Sequence, residues 1–250
     1  MPRYYNRRYK RRYYKRRSAL STRKIFNNKS AKSQANQIYA LKRSVNSLSK
    51  RFKPEIFTHH LSDVISKNFT NSSFGDSYWS GYYQWPNNGT GEETKRGDKI
   101  WVKNMQLNFT FEYHNNSNTA YHSGESSGCP VRLIVMKSKT PVAGVAPDIS
   151  DILLYSNYTG AEYTQRAVSP YVHGITDKYK LLYNKVFYLN PTQNQKALRL
   201  FLKPGLIQWE SSSLATHVFI FVAPCGLHSD VDFTETIQMT LSEKIAYIDY

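Results

Sequence analysis

The sequence predicts an all-β domain, a sandwich or a barrel, for residues 54–250. Residues 99–113 (KIWVKNMQLNFTFEY) alternate apolar and polar side chains with a period of two, which is typical of a strand with one buried face. Seven further segments have strand character, and clusters of Gly, Pro, Asn and Ser separate them. Only residues 148–155 suggest a short helix. Eight strands without long intervening helices favour a sandwich or barrel over a parallel α/β sheet.

The eight predicted strands are joined by loops of unequal length. Two loops, residues 86–98 and 114–129, exceed ordinary hairpin turns, as expected where strands cross between two sheets and the connections form outer surface. The apolar–polar alternation shifts by one residue near residues 103–105, which would accommodate a bulge in the long strand. The predicted strands are residues 56–65, 78–84, 99–113, 131–137, 179–189, 197–203, 215–223 and 234–250.

An amphipathic helix is predicted over residues 30–52, between a serine at its start and Pro54 just beyond its end. Its apolar residues recur at steps of three and four: Ile38, Leu41, Val45, Leu48 and Phe52. Cations at positions 42, 43, 50 and 51 occupy the other side. This narrow stripe could pack on the β domain or self-associate around a symmetry axis. Because it spans little over three heptads, packing on a folded body is the more economical interpretation.

The N-terminal segment MPRYYNRRYKRRYYKRR contains nine Lys or Arg and five Tyr among its seventeen residues, and no acidic residue. Such a segment has almost nothing aliphatic to bury, and its charges repel one another. Cations neutralise phosphates and tyrosine rings stack on unpaired bases, with little dependence on sequence. The predicted nucleic-acid-binding residues are Arg3, Tyr4, Tyr5, Arg7, Arg8, Tyr9, Lys10, Arg11, Arg12, Tyr13, Tyr14, Lys15, Arg16, Arg17, Arg23 and Lys24. A solvated tail, or a nuclear address alone, is the alternative.

The predicted organisation is a basic arm (1–29), an amphipathic helix (30–53) and a β domain (54–250), and the charge is divided unequally among them. Residues 1–53 hold 18 Lys and Arg and no acid, out of 34 Lys and Arg in the chain, which leaves 16 basic against 18 acidic residues in the remainder. The excess charge indicates a nucleic-acid or membrane partner for the arm. The first seventeen residues lack the apolar face of an interfacial helix, which favours nucleic acid.

Cysteine and hydropathy patterns place further limits on the chain. Cys129 and Cys225 form no metal-binding spacing, and buried thiols in a reducing compartment are expected. The basic N-terminus has no apolar run after it, so no signal peptide is expected. The apolar runs at residues 133–136 and 218–223 are the length of strands, so no membrane insertion is expected.

The sequence shows no spacing typical of a catalytic, cofactor or metal site. It contains no G-x-x-x-x-G-K-[ST], G-x-G-x-x-G, H-E-x-x-H or G-x-S-x-G pattern, and no His and Cys spacing for zinc. His59 and His60 are adjacent, and adjacent strand residues face opposite ways, so they are poorly placed to share a metal. We therefore expect no enzyme activity, no cofactor and no resident metal.

Three weaker patterns have a structural and a functional interpretation. Asp230 and Asp232 could contribute to a calcium site between subunits, but a solvated acidic turn is the simpler account. The tripeptide at residues 96–98, RGD, matches an integrin-type motif, although Gly and Asp are ordinary turn residues. The aromatics Trp79, Tyr82, Tyr83 and Trp85 could form a ligand platform, but strand packing or a subunit contact is the commoner role.

Taken together, an Arg/Tyr-rich tail, a short amphipathic helix and a neutral β domain resemble the capsid proteins of circular, Rep-encoding single-stranded DNA viruses, the circovirus-like group. The residues that carry this resemblance are the tail itself, the helix QIYALKRSVNSLSKRF (37–52) and the segment RGDKIWVKNMQLNFTFEY (96–113). The segment 96–113 resembles the basic turn and long strand of such capsids.

The resemblance implies a single eight-stranded jelly roll of two four-stranded sheets. It also implies a small icosahedral (T=1) shell of about 60 copies, with the arm directed inward onto a single-stranded DNA genome. The arm would double as a nuclear localisation signal read by a host import receptor, which places the protein in the virion and, during assembly, in the host nucleus. An unknown host cell attachment receptor is a further implied partner.

Other classes of protein share this layout. Capsid proteins of small RNA and satellite viruses also join a basic arm to a jelly roll, and charge does not distinguish DNA from RNA. A cellular nucleic-acid-binding β-sandwich would stay monomeric and expose base-binding aromatics on its sheet.

Overall fold

The computed structural model divides into two units, Met1–Pro54 and Glu55–Tyr250, each of which is described by itself. The described residues are 30–51, 54–61, 64–72, 75–76, 78–87, 89, 94–117, 128–154, 165–211, 213–227, 229–230 and 233–249.

Helix α1 (Ala31–Arg51) is the described element of the first unit, and it confirms the predicted N-terminal helix. The Ser33 N–H donates to Ser30 Oγ at 3.3 Å, so a serine at the helix start satisfies one of its free amides. The helix ends at Arg51, shortly before Pro54, which has no N–H with which to continue it.

The second unit consists mainly of antiparallel strands. Its helices are short: α2 (Gln165–Val168), α3 (Ile175–Lys178) and a 3₁₀ turn (Ile149–Asp151). Its strands are β1 (Phe57–His60), β2 (Ile65–Ser72), β3 (Gly75–Asp76), β4 (Trp79–Tyr82), β5 (Lys99–Ser117), β6 (Cys129–Ser138), β7 (Val142–Ala143), β8 (Tyr179–Leu189), β9 (Gln195–Leu202), β10 (Gly205–Ser211), β11 (Leu214–Ala215), β12 (Val218–Pro224), β13 (Ser229–Asp230) and β14 (Phe233–Asp249).

Eight of the described strands pair in a nested order: β2, β4, β5, β6, β8, β9, β12 and β14. The first pairs with the last (β2 with β14), the second with the second last (β4 with β12), the third with β9, and the two middle strands, β6 and β8, with each other. One sheet therefore runs β2–β14–β5–β9 and the other β4–β12–β6–β8. This wrapping of strand pairs is the jelly-roll arrangement, so the predicted eight-stranded jelly roll is confirmed.

Among the described residues the larger sheet contains ten strands, because further segments extend its four main lines or pair at its edges. Strands β9 and β10 lie along β5 in one register, with Leu202 opposite Met105 and Gly205 opposite Val102. Pro204 separates them and has no N–H for the ladder. Strands β1 and β2 likewise follow one another along β14, where the sequence predicted a single strand over residues 56–65.

Two apolar clusters account for the burial pattern. The first fills the space between the sheets, with Phe109 from β5, Leu133 from β6 and Ile220 from β12 among its members. The second lies on the other side of the smaller sheet, where Phe219 and Phe221 pack with residues of the 142–179 segment. The middle strands of the smaller sheet, β6 and β12, are therefore buried on both faces, which explains why β12 is a continuous apolar run.

Candidate nucleic-acid interface

The sixteen predicted nucleic-acid-binding residues, from Arg3 to Lys24, lie outside the described residues. Their assignment therefore stays a prediction. The part of the first unit that the structure describes begins at Ser30.

Helix α1 carries cations and no carboxylate. Lys32, Lys42 and Arg43 are exposed, and the helix sequence contains no Asp or Glu. The Arg43 guanidinium lies 5.4 Å from the centre of the exposed Tyr39 ring. The helix thus extends the positive charge of the preceding residues and presents one aromatic ring beside it.

The apolar stripe of α1 is open to solvent. Ile38, Leu41, Val45 and Leu48 each expose more than half of their side-chain surface. An exposed stripe of this size is typical of a surface that is covered by another element or another copy. Whether the helix packs on the β domain or bundles with other copies stays a prediction.

The histidine pair behaves as strand geometry predicts. His59 is half-buried, with its ring 6.4 Å from that of Tyr83, whereas His60 is exposed. The described residues contain no group of three or more His, Cys, Asp or Glu side chains that could hold a metal ion. Asp230 forms part of β13, and Asp232 lies outside the described residues.

A cavity of about 940 Å³ opens beside β4, β10 and β11, and Tyr82, Trp85 and Trp209 are among the residues that line it. Lys95 lies in its wall with its ammonium 4.1 Å from the Trp209 ring centre and donates to the Gly97 carbonyl at 3.0 Å. Burial lowers the pKa of Lys95, and Asp98 and Asp249 partly offset this effect. Burial also lowers the pKa of His217, which packs edge-on against Tyr82. These groups are packed into the cavity wall, and the cavity offers aromatic surface to a ligand.

The four clustered aromatics mostly pack into the sandwich. Tyr83 is fully buried, and Trp79 and Trp85 pack against the core between the sheets. The indole N–H of Trp85 donates to the Thr216 carbonyl at 3.1 Å. Tyr82 is the most exposed of the four, at 37%. Strand packing, the commoner of the two predicted roles, is therefore confirmed for three of them.

The RGD tripeptide is hydrogen-bonded to neighbouring strands. The Arg96 and Gly97 N–H groups donate to the Asp249 carboxylate at 2.5 and 3.3 Å, and the Trp209 N–H donates to the Asp98 carbonyl at 2.9 Å. These bonds fix the turn that leads into β5, which supports a structural role for the tripeptide.

Both cysteines, Cys129 and Cys225, are buried, as predicted. The described part of the chain also buries two carboxyl groups that the sequence did not lead us to expect. Glu235 and Glu243 occupy inward positions of β14, in the same alternation as Ile237 and Leu241. That alternation was the signal that could have identified them.

No helix in the described part of the chain is long and apolar enough to cross a membrane.

Comparison with known proteins gives matches among solved structures. No family model and no curated protein matches the chain. The decameric BFDV capsid protein is 8% identical, over 76% of this chain and 99% of that one, with a TM-score of 0.26. The infectious bursal disease virus VP2 subviral particle is 8% identical, over 79% and 38%, with a TM-score of 0.24. A polyomavirus VP1, from Trichodysplasia spinulosa-associated polyomavirus, is 7% identical, over 76% and 98%, with a TM-score of 0.20. All three are viral proteins, and the jelly-roll assignment of this chain rests on its own strand order.

Proposed function

We propose that this protein is a viral capsid protein that assembles into a small icosahedral shell and packages single-stranded DNA. The observation that carries the proposal is the joining of two unlike parts in one chain. Residues 1–53 hold 18 cations without an acid, and the jelly roll that follows is close to neutral overall. The jelly roll is a fold that viral capsids use.

Genome binding is assigned to the arm, residues 1–29. Its cations would neutralise phosphates and release counterions, and its tyrosines would stack on unpaired bases. In a shell of about 60 copies, the 18 cations of residues 1–53 would bring roughly 1,100 positive charges to the interior. That charge would neutralise a large part of a genome of about one to a few thousand nucleotides.

Shell formation is assigned to the jelly roll. A body of nearly zero net charge allows copies to pack side by side without strong mutual repulsion. The connections between its strands would supply subunit contacts and the outer surface. In this proposal the arm also serves as the nuclear localisation signal, and the host attachment receptor is an unidentified partner.

The experiment compares the full chain with a variant in which the nine cations of residues 1–17 are replaced by Gln. Both are expressed, purified and examined by electron microscopy and by the ratio of absorbance at 260 and 280 nm. We expect uniform particles with nucleic acid from the parent, and loss of nucleic acid and of nuclear accumulation in the variant, with the β unit still folded.

The matched control replaces the seven arginines of residues 1–17 by Lys, which keeps the charge and is expected to keep packaging. Normal nucleic-acid content in the Gln variant would refute the role of the arm. A parent that stays monomeric under all conditions tested would refute the shell and support a cellular nucleic-acid-binding β-sandwich. DNase and RNase digestion of the packaged material separates a DNA from an RNA genome.

A further inference from the structure

The outward face of the larger sheet is cationic and aromatic at one end. Five cations and two aromatic residues point outward from three neighbouring lines of the sheet: β5, β14 and the line formed by β9, Lys203 and β10. We call this surface the basic–aromatic face, and it consists of Lys99, Trp101, Lys103, Arg199, Phe201, Lys203 and Lys244.

Strand alternation establishes that these side chains face away from the core. On β5 they alternate with the buried Ile100 and Val102, and on the β9 line with the buried Leu200 and Leu202. Lys244 precedes the buried Ile245 on β14. All five cations are exposed.

The register brings the cations into adjacent rows. Phe201, Gln106 and Lys244 lie opposite one another across three strands, and Arg199, Asn108 and Ser242 form the next row. The rows between that of Arg199 and that of Lys99 carry no outward carboxylate. Among the described residues that point outward there, none is Asp or Glu. Glu112, the outward acid of β5, lies two rows beyond Asn108, where Gln195 donates to it.

The near-neutral total of the β unit conceals this concentration of charge. Residues 54–250 contain 16 Lys and Arg against 18 Asp and Glu, and five of those 16 cations are on this one face. A surface that carries five positive charges without a negative one attracts a polyanion.

The two aromatic residues distinguish this face from a merely solvated patch. The Trp101 side chain is 45% exposed and that of Phe201 is 61% exposed, although both are large and apolar. Trp101 lies on β5, and Phe201 lies on the neighbouring β9 opposite Gln106 of β5. The two rings are therefore separated by five residues along the strand direction, on the order of 15 Å. Exposed rings among cations on a sheet suit unpaired bases, because each ring stacks on a base while the cations contact phosphates.

We infer that the basic–aromatic face binds single-stranded nucleic acid as a second contact, separate from the arm. This inference rests on the proposed function, because it assigns the shell domain a direct part in holding the packaged strand. The arm and this face belong to one chain, so a strand held by one is at raised local concentration for the other. Neutralising the arm should therefore weaken binding without removing it.

The experiment measures binding of a fluorescein-labelled oligo(dT) by fluorescence anisotropy at several salt concentrations, using the full chain. Arg199, Lys203 and Lys244 are replaced by Gln, both with the native arm and with the nine cations of residues 1–17 replaced by Gln. The matched control replaces Lys139, Lys180 and Lys185 by Gln, which removes the same charge from exposed positions elsewhere.

With the arm neutralised, we expect the face variant to bind at least tenfold more weakly than the control variant. The slope of log K against log salt should fall by about 2, as for three lost phosphate contacts on a single strand. Trp101→Leu and Phe201→Leu should each lower the affinity by roughly five- to a hundredfold and leave the salt slope unchanged. Phe201→Tyr keeps the ring and should restore binding.

Equal binding by the face and control variants would overturn the inference. Normal binding together with weakened assembly of the face variant would also overturn it, because the face would then be a subunit contact. The arm is judged separately, from the parent against the arm-neutralised chain. Equal affinity of those two refutes the role of the arm and leaves the face variants to decide the second contact.

Discussion

The Tyr113 hydroxyl donates a hydrogen bond of 2.5 Å to Glu235 Oε1 inside the sandwich, and the Gly128 N–H donates to the same oxygen at 3.3 Å. Eight residues further along the same face of β14, Glu243 is only 4% exposed. Neither of its carboxyl oxygens has a hydrogen-bond partner among the described residues, and the buried Tyr83 hydroxyl also has none. Burial raises the pKa of Glu243 from 4.5 to about 8.

The raised pKa of Glu243 predicts a stability that falls with pH. The folded protein holds this proton up to about pH 8, whereas the unfolded chain releases it near pH 4.5. The contribution of this carboxyl to stability is therefore greatest below pH 4.5, declines as the pH rises to about 8, and is level above it, with a slope of up to about 1.4 kcal/mol per pH unit. Glu243→Gln, which is neutral throughout, should remove this decline in urea denaturation series at pH 5, 6.5, 8 and 9.

The control for this prediction is Glu235→Gln on the same strand. Its Oε1 accepts two hydrogen bonds, and a neutral amide oxygen accepts them more weakly than a carboxylate oxygen does. The change should therefore destabilise the protein by about 1–3 kcal/mol at pH 7, whereas Glu243→Gln should stabilise it at pH 8. An unaltered pH profile in Glu243→Gln would contradict the assignment of the decline to this carboxyl.

Replacing Gly128 is predicted to destabilise the fold for two reasons: its backbone angle favours glycine, and a side chain there would clash with a neighbouring strand. Its φ is +77°, and a Cβ there would lie 2.1 Å from the Leu189 carbonyl oxygen. Gly174 has the same φ, but its nearest atom, Asp177 Oδ2, would be 3.7 Å from the added Cβ. Gly174→Ala should cost about 1–2 kcal/mol through backbone strain, and Gly128→Ala clearly more, by urea denaturation. Equal losses would show that the contact with Leu189 relaxes freely.

The exposed stripe of α1 is predicted to be a contact surface in the assembled particle. Leu41→Ser together with Val45→Ser should reduce the yield of particles on sizing chromatography, because each buried side chain of this kind contributes about 1.5–3 kcal/mol. The control, Asn36→Ala with Ser47→Ala, changes the opposite side of the same helix. The thermal unfolding of the β unit should be unchanged in both. Normal particle yield in the Leu41 and Val45 variant would contradict the prediction.

The five tyrosines of the arm are predicted to select unpaired strands. Replacing Tyr4, Tyr5, Tyr9, Tyr13 and Tyr14 by Leu keeps every charge, so duplex affinity and the salt slope should be unchanged. Affinity for oligo(dT) should fall, because stacking on the rings is lost. A parallel loss for duplex and single strand would show that the tyrosines act through something other than base stacking.

The strands that were predicted best have one buried and one solvent-exposed face, or have apolar residues on both faces. The predicted strand at residues 179–189 matches β8, and that at 99–113 lies within β5, with its bulge near Lys103. Strand β10 was missed, since Pro204 and Gly205 belong to the Gly and Pro clusters that were predicted to separate strands. Locally they do interrupt the ladder, but the register across β5 continues beyond them, and no local pattern contains that information.

The candidate site was less accessible to sequence reasoning. Charge counted along the chain identified the arm, but it made the β unit look neutral. The cations of the basic–aromatic face come from three separate segments, at residues 99–103, 199–203 and 244, and only strand pairing brings them together. Exposure of Trp101 and Phe201 likewise depends on which way each strand faces, and the bulge near Lys103 changes that direction part-way along β5.

The pairing of β1 with β14 also determines at what stage of synthesis the β unit can finish folding. Phe57 lies opposite Tyr247, its partner 190 positions later in the chain. Contacts of such long range make folding slow, and the sheet is incomplete until the last strand has left the ribosome. The cationic N-terminus is therefore synthesised and available well before a shell-forming surface exists. During synthesis the arm, which is proposed to bind nucleic acid, is therefore available first. The jelly roll, which is proposed to enclose the nucleic acid, is completed last.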